Sequence, residues 1–258
     1  MDDKIRVAII GCGGIGRTHA RAYMANSDLC QLVVCADIAS HAAEALGHEF
    51  GCAIYQDVGT MLDEVEPDAV SICTPPSSHL PMARLAAERG IAILCEKPLT
   101  RNLAEAKQMV KLVEETGTLF MNALCHRFHG PVRQARQLIK EGKLGKLVQF
   151  QNRFAFRFQE VEKRWFTDPE VAGGGILLDT AVHSLDLFRF LVGEVATLYA
   201  QTSTILPIKV EDSATLLLRS TDNVIGEISC SWVTPPGEAI IRIYGTEGTL
   251  EIDYSREP

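Results

Sequence analysis

Five short runs rich in Val, Ile, Ala and Cys recur between residues 5 and 124: "IRVAII", "LVVCA", "AVSIC", "IAILC" and "LFMNAL". Segments of helical period, such as Leu103 to Val113, lie between them. A run that is apolar at every position, not every second one, must be covered on both faces. The intervening helices supply that cover and the crossovers that parallel strands need. The pattern predicts an α/β domain, a parallel doubly wound sheet, over residues 1–124.

After a helix predicted near Pro131 to Lys140 the period changes. The runs "KLVQFQNRFAFRF", "ATLYAQTSTI", "SATLLLRS", "VIGEISCSWV", "AIIRIYG" and "TLEIDY" alternate, with one helix predicted between Gly175 and Val192. Residues 125–258 are therefore expected to form a second, α+β domain with a mostly antiparallel sheet.

Composition excludes some partners. The 258 residues are 47% hydrophobic, enough for a sizeable core, and carry a net charge of −8. An acidic surface of this kind suits neither nucleic acid nor anionic membrane, so an anionic ligand must be held by local groups. No run reaches the roughly 18 apolar residues of a membrane span. "MDDKIR" passes straight into a strand with no signal-peptide apolar region, and a cytoplasmic protein is expected. The eight cysteines form no C-x-x-C and several sit in apolar strands, so neither disulfides nor a zinc knuckle are expected.

The first motif is "VAIIGCGGIGRTHA". Gly11, Gly13 and Gly16, with Gly14 and Ile15 between them, form G-x-G-x-x-G after a predicted strand and at a predicted helix start. Such glycines permit a tight turn and close approach of the backbone to a pyrophosphate, while the helix N-terminus offers amides and positive dipole. The bare string also suits an ordinary glycine turn. Asp37, closing the second strand 21 residues after Gly16, adds a carboxylate placed for ribose hydroxyls. It repels a 2′-phosphate and Ile38 offers none a cation, so NAD is favoured, with NADP the alternative.

The second motif is "ILCEKPLT", where Lys97 follows a strand end. Ligands of doubly wound sheets lie beyond the carboxyl ends of the strands. Pro98 biases Lys97 to an extended backbone and narrows the directions its ammonium can take. An ammonium there is suited to stabilise a developing alkoxide, although a solvated turn lysine fits the same string. Thr74, Pro75 and Pro76 end the preceding strand and are expected to wall the same cleft. His79, at the next helix start, suits a turn cap. The cofactor-binding set is completed by His79, Glu96 and Lys97.

The third is "GGGILLDTAVHSLDLFRFLVGE". On one α-helix Asp179, His183 and Asp186 project to one side, amid positions that are nearly all apolar. Ionisable groups on a buried helix need partners or a task, and a carboxylate beside an imidazole suits proton transfer. A satisfied core pair is the alternative. Cys125, His126 and His129 are soft donors without a matching distal pair, and no metal is predicted.

These residues together resemble the Gfo/Idh/MocA oxidoreductase family. The likeness rests on the glycine fingerprint, "TPPSSH" at 74–79, "CEKPLT" at 95–100, "RFHGPVRQARQLIKEGKLGKL" at 127–147, "GGGILLDTAVHSLD" at 173–186 and "IYGTEGTLEI" at 243–252. It implies a Rossmann domain followed by an α+β domain with a large open-faced sheet. It also implies hydride transfer between NAD(P) and an alcohol or ketone of a sugar, cyclitol or polyol, with Lys97, Asp179 and His183 as catalytic trio. The family's glycine between Asp179 and His183 is Ala181 here. Family members continue beyond "GTEGTLEI" with further strands and a helix, so a chain ending at Pro258 is expected to be a short member or C-terminally truncated.

On this reading His183 is the base, Lys97 the charge that eases deprotonation, and Asp179 the orienting group. Arg127, Arg153 and Trp165 are candidates for shaping the pocket. The rivals are a dinucleotide-binding sensor without turnover and a dehydrogenase of a non-carbohydrate diol. In "KLVQFQNRFAFRFQ" the positions Val148, Phe150, Phe154, Phe156 and Phe158, broken by Asn152, are expected to pack on the helix carrying Asp179. The other face, with Leu147, Gln149, Gln151, Arg153, Ala155 and Arg157 and with Glu227, Ser229 and Ser231 from a neighbouring strand, is expected to join copies into a dimer or tetramer.

Overall fold

The computed structural model describes residues 4–253, in two compact units, Met1–Ala123 and Leu124–Pro258. The last residue of "TLEIDY", Tyr254, and the end at Pro258 lie outside the described residues, as do the first three of "MDDKIR".

In the first unit six strands are all parallel: β1 (Ile5–Ile10), β2 (Cys30–Ala36), β3 (Ala53–Tyr55), β4 (Ala69–Ile72), β5 (Ala92–Cys95) and β6 (Phe120–Asn122). Their order, β3-β2-β1-β4-β5-β6, reverses direction between β1 and β4, which is where a doubly wound sheet opens a crevice. The connections are helices α1 (Gly14–Ala25), α2 (Ser40–Phe50), α3 (Val58–Val65), α4 (His79–Ala87) and α5 (Leu103–Thr116). Side chains that alternate along β1 enter two cores. Ala8 and Ile10 pack with Val34, Val70, Ile72 and Met61, whereas Val7 and Ile9 pack with Leu32, Cys35, Ala20 and Leu46. Cover on both faces is the reason these strands read as unbroken apolar runs. β3 was not expected from sequence: it is three residues long at the sheet edge, and its Ala53 and Ile54 are exposed.

The second unit contains α6 (Gly130–Lys140), β7 (Leu147–Arg157), the short α7 (Pro169–Ala172) and a π-helical turn (Leu177–Ala181) that runs into α8 (Val182–Leu191). Then come β8 (Val195–Ser203), β9 (Ser213–Ser220), β10 (Ile225–Ser231), β11 (Val233–Gly245) and β12 (Thr249–Asp253), in the sheet order β12-β11-β7-β10-β9-β8. β7 and β10 run parallel and the other neighbours antiparallel. α8 lies on one face. Phe188 meets Phe150 edge to face with centroids 5.4 Å apart, and Gly226 leaves it room, because a Cβ there would stand 2.5 Å from the Phe188 ring.

Packing of β7 follows the expected alternation at Phe150, Asn152 and Phe154, which are 0%, 3% and 9% exposed. Asn152, the polar break, donates to the Ile240 carbonyl at 3.0 Å and so satisfies its amide nitrogen inside the core. Two positions depart from expectation. Val148 is 52% exposed while Ala155, expected outward, is 1% exposed. The register of β11 against this end of β7 slips between Val233, opposite Arg157, and Glu238, opposite Ala155.

The single α-helix expected over Gly175 to Val192 is also corrected. Its first part is the π turn, whose wider winding inserts a residue ahead of α8. Glu211, in the segment between β8 and β9, holds the start. Its Oε1 accepts from Gly175 N at 2.9 Å and Leu177 N at 3.1 Å, and its carbonyl accepts from Ile176 N at 2.9 Å. Pro169–Leu191 contains an 18-residue window with a mean hydropathy of 1.2, although Asp179, His183 and Asp186 interrupt the stretch and it is no unbroken apolar run. Just over half of that stretch is buried within the fold, so its apolarity reflects core packing.

Candidate active site

The glycine cradle of the first unit is built at the end of β1. Gly11 has φ +96°, and a Cβ there would sit 2.7 Å from the Cys73 backbone. A Cβ on Gly16 would lie 2.1 Å from the Gly11 carbonyl oxygen, so both glycines are demanded by packing. Gly13 and Gly14 differ: nothing stands within 4 Å of where their Cβ atoms would be. That open backbone, with Gly13 capping α1 and Gly14 beginning it, leaves amides available to an anionic pyrophosphate, and Ile15, 43% exposed, follows. Asp37 follows β2 and ties the loop. Its Oδ2 accepts from Cys12 N at 2.7 Å and Oδ1 from Ala39 N at 2.8 Å, and each oxygen keeps a lone pair for a ribose hydroxyl. Open glycines, a helix N-terminus and this carboxylate fit a dinucleotide.

Lys97 leaves the end of β5 in a loop fixed from several sides. Glu96 N donates to the Ile72 carbonyl at 2.9 Å, and Asn122 Nδ2 donates to the carbonyls of Cys95 and Glu96 at 3.0 and 3.2 Å. The Lys97–Pro98 bond is cis. Lys97 itself is half-buried.

Two residues expected to contact cofactor turn inward. His79 is 0% exposed, with Nδ1 2.9 Å from the Pro98 carbonyl and Nε2 2.9 Å from the Thr74 carbonyl. It braces the loops after β4 and β5 and presents no surface to a ligand. Burial pushes its pKa below the ordinary value, outweighing the carbonyl contacts that favour the protonated ring. Glu96, 8% exposed, is drawn in because its carboxylate accepts from the Lys97 amide and meets His19. Thr74 and Pro75 are half-buried at the end of β4.

In the second unit Asp179 lies in the π turn, half-buried, and His183 in the first turn of α8, 7% exposed. Thr180 Oγ1 donates to Asp179 Oδ2 at 3.1 Å, and Trp232 Nε1 reaches Thr180 Oγ1 at 3.4 Å. Trp232 is completely buried, so this pair orients the carboxylate from the core. The His126 ring stacks on His183 with centroids 4.1 Å apart and planes 13° from parallel, and Phe154 tilts against His126 at 5.3 Å. Cys125, His126 and His183 bring their donor atoms within 4.8 Å of one another, with His183 in the place that sequence offered to His129. Stacked rings send their in-plane lone pairs along parallel planes, and a shared ion needs them to converge.

The remaining candidates are dispersed. Asp186, expected beside Asp179 and His183, pairs with Arg127, whose Nε donates to its Oδ2 at 2.6 Å and whose guanidinium lies 5.2 Å from the Phe190 centroid. Asp186 holds the Arg127 guanidinium's pKa above its ordinary range. Arg153 sits on the sheet face opposite Phe154. There it pairs with Glu238 and donates to Ser229 Oγ at 3.3 Å, so strand alternation removes it from the side on which His126 and His183 stack. Trp165 is 49% exposed in a 3-10 turn after β7, edge to face with Phe166.

A cradle of this kind at the β1 end of a 3-2-1-4-5-6 sheet defines a dinucleotide-binding Rossmann class. The chain belongs to the Gfo/Idh/MocA family: residues 5–124 match its oxidoreductase domain with an NAD-binding Rossmann fold, and residues 132–251 match its C-terminal domain. D-apiose dehydrogenase of Paraburkholderia graminis is 31% identical over 98% of this chain and 69% of its own length. The NAD(+)-dependent scyllo-inositol 2-dehydrogenase of Bacillus subtilis is 30% identical over 99% of this chain and 76% of its own. The WlbA dehydrogenase of Bordetella pertussis, solved with NADH and UDP-GlcNAcA, superposes with a TM-score of 0.91 at 29% identity, over 97% of this chain and 78% of that one.

Proposed function

We propose that the chain is a dehydrogenase moving a hydride between NAD and a secondary alcohol or ketone of a sugar, cyclitol or related polyol. Lys97, Asp179 and His183 are its acting groups, residues 1–124 its cofactor domain and residues 125–258 its substrate domain. The observation that carries the reading is the rigid loop that ends β5 on Lys97, in the same sheet as the open glycine cradle, within a family whose members include polyol dehydrogenases. When bound, NAD supplies the hydride acceptor. His183 is the base for the hydroxyl proton, and Lys97 is the positive charge that eases deprotonation. Asp179, steadied by Thr180, holds imidazole and hydroxyl in line. Ketone reduction uses the same groups in reverse.

Growth of NADH absorbance with NAD and a panel of scyllo-inositol, myo-inositol, D-apiose and D-xylose tests the activity. A protein that binds NADH but turns over neither these nor a non-carbohydrate diol fits the sensor reading instead.

Cofactor choice follows from Asp37 and the 94% exposed Ile38. NADH is expected to bind at least roughly 10-fold more tightly than NADPH, since a 2′-phosphate meets a carboxylate and no cation. Fluorescence titration reads both; equal affinities sink the role given to Asp37.

Self-association through the open sheet face is part of the same proposal. Gln151, Glu227, Leu217 and Tyr199 fall in one row across β7, β10, β9 and β8, and Leu217 and Tyr199 are 51% and 60% exposed. Light scattering at micromolar concentration is expected to give a dimer or tetramer that Arg153→Glu weakens. A monomer overturns the oligomer, and an oligomer indifferent to the substitution moves the interface elsewhere. A cytoplasmic location is supported by eight free cysteines.

A further inference from the structure

Tyr23, Ser71, His19 and Glu96 form a hydrogen-bonded chain that ends on the amide of Lys97. Tyr23 Oη lies 2.5 Å from Ser71 Oγ, and Ser71 Oγ lies 3.0 Å from His19 Nδ1. His19 Nε2 lies 3.0 Å from Glu96 Oε1, and Lys97 N donates to Glu96 Oε2 at 3.0 Å. One assignment of protons satisfies every member: Tyr23 donates to Ser71, Ser71 to His19 Nδ1, His19 Nε2–H to Glu96, and the Lys97 amide to the other carboxylate oxygen. It needs a neutral imidazole and an ionised carboxylate. Burial pushes the Tyr23 phenol's pKa up and keeps it a donor at the head of the chain. Ser71 and Glu96 are 0% and 8% exposed, so little water can replace a missing partner.

His19 and Tyr23 both belong to α1, the helix that begins at the glycine cradle, whereas Ser71 lies on β4 and Glu96 beyond β5. We infer that His19 is a positioning residue for Lys97, coupling the cradle helix through the Glu96 carboxylate to the backbone from which the lysine extends. The inference rests on the reading of Lys97 as an acting group. Without His19, Glu96 Oε1 keeps a buried charge with no donor. The carboxylate then rotates to find one, and the Lys97 amide loses its acceptor.

Amide exchange by nuclear magnetic resonance on the NADH-saturated protein tests the first half without activity. His19→Leu is expected to speed exchange at the Lys97 amide by at least about 10-fold while NADH affinity stays within about threefold. For the polyol that turns over in the panel, kcat is expected to fall roughly 10-fold with KM little changed, and His19→Gln, which restores a donor towards Glu96, to recover most of the loss. In a Lys97→Met background His19→Leu should change kcat by less than about twofold, because a residue acting through Lys97 has nothing left to position. Unchanged exchange overturns the inference, as does the same loss with and without Lys97. Should His19→Leu not fold, Ser71→Ala must show the same exchange and the same coupling. Near-normal turnover of Lys97→Met itself overturns the functional reading, an outcome separate from the exchange result.

Discussion

Replacing His183 with asparagine is expected to lower alcohol oxidation by about 100- to 10,000-fold, the usual range for loss of a general base. Asparagine is close to the ring in size and polarity, so the 7% exposed site should stay filled. NADH affinity, which belongs to the first unit, should not change. The base must be unprotonated to accept the hydroxyl proton, so the parent's oxidation rate falls as pH drops through its pKa. That acidic limb should vanish from the residual activity of the variant. A variant that keeps both turnover and limb assigns the proton to another group, with stacked His126 the first to examine.

Lys97→Met is expected to cost about 100- to 1,000-fold in kcat, the scale for removing one group aimed at developing charge. Methionine keeps the unbranched stem and removes the ammonium. Because Glu96, Asn122 and His79 hold the loop, the backbone should be unaffected, and NADH should bind within several-fold of the parent. The loss should fall on kcat and kcat/KM alike, as for an interaction made only in the transition state. Near-normal turnover returns Lys97 to a solvated turn residue.

Lys97 and His183 both stand out in sequence, and the reason is physical. Strands covered on both faces read as apolar runs, and the glycines at 11 and 16 have no substitute where a Cβ would fall 2.7 and 2.1 Å from backbone atoms. Such demands are local and leave local marks. The rest depends on distant chain. Trp232 reaches Thr180, beside Asp179, across 52 residues, His126 reaches His183 from a 3-10 turn, and His19 meets Glu96 across 77 residues. None has a neighbour in sequence that signals the contact. Arg153 was a candidate for the pocket and for the outer sheet face alike, and the structure has it on the outer face, paired with Glu238. The turn-cap reading of His79 agrees with its place between two loops, but the inward turn of Glu96 was hidden because a motif shows which residues cluster, not which way each points.

The second sheet has a consequence for the order in which the protein is made. Every strand of the first unit has its partners by Asn122, so that unit can close while the ribosome is still at work on the second. β7 has no such luck of position. Its two neighbours, β10 and β11, begin at Ile225 and Val233, roughly 70 residues after it ends, which is several seconds of synthesis at ordinary elongation rates. Through that interval a strand bearing Phe150, Phe154 and Phe156 has both hydrogen-bonding edges open. The nascent chain is most prone to aggregate between emergence of Arg157 and emergence of Ser231, and most in need of a chaperone there.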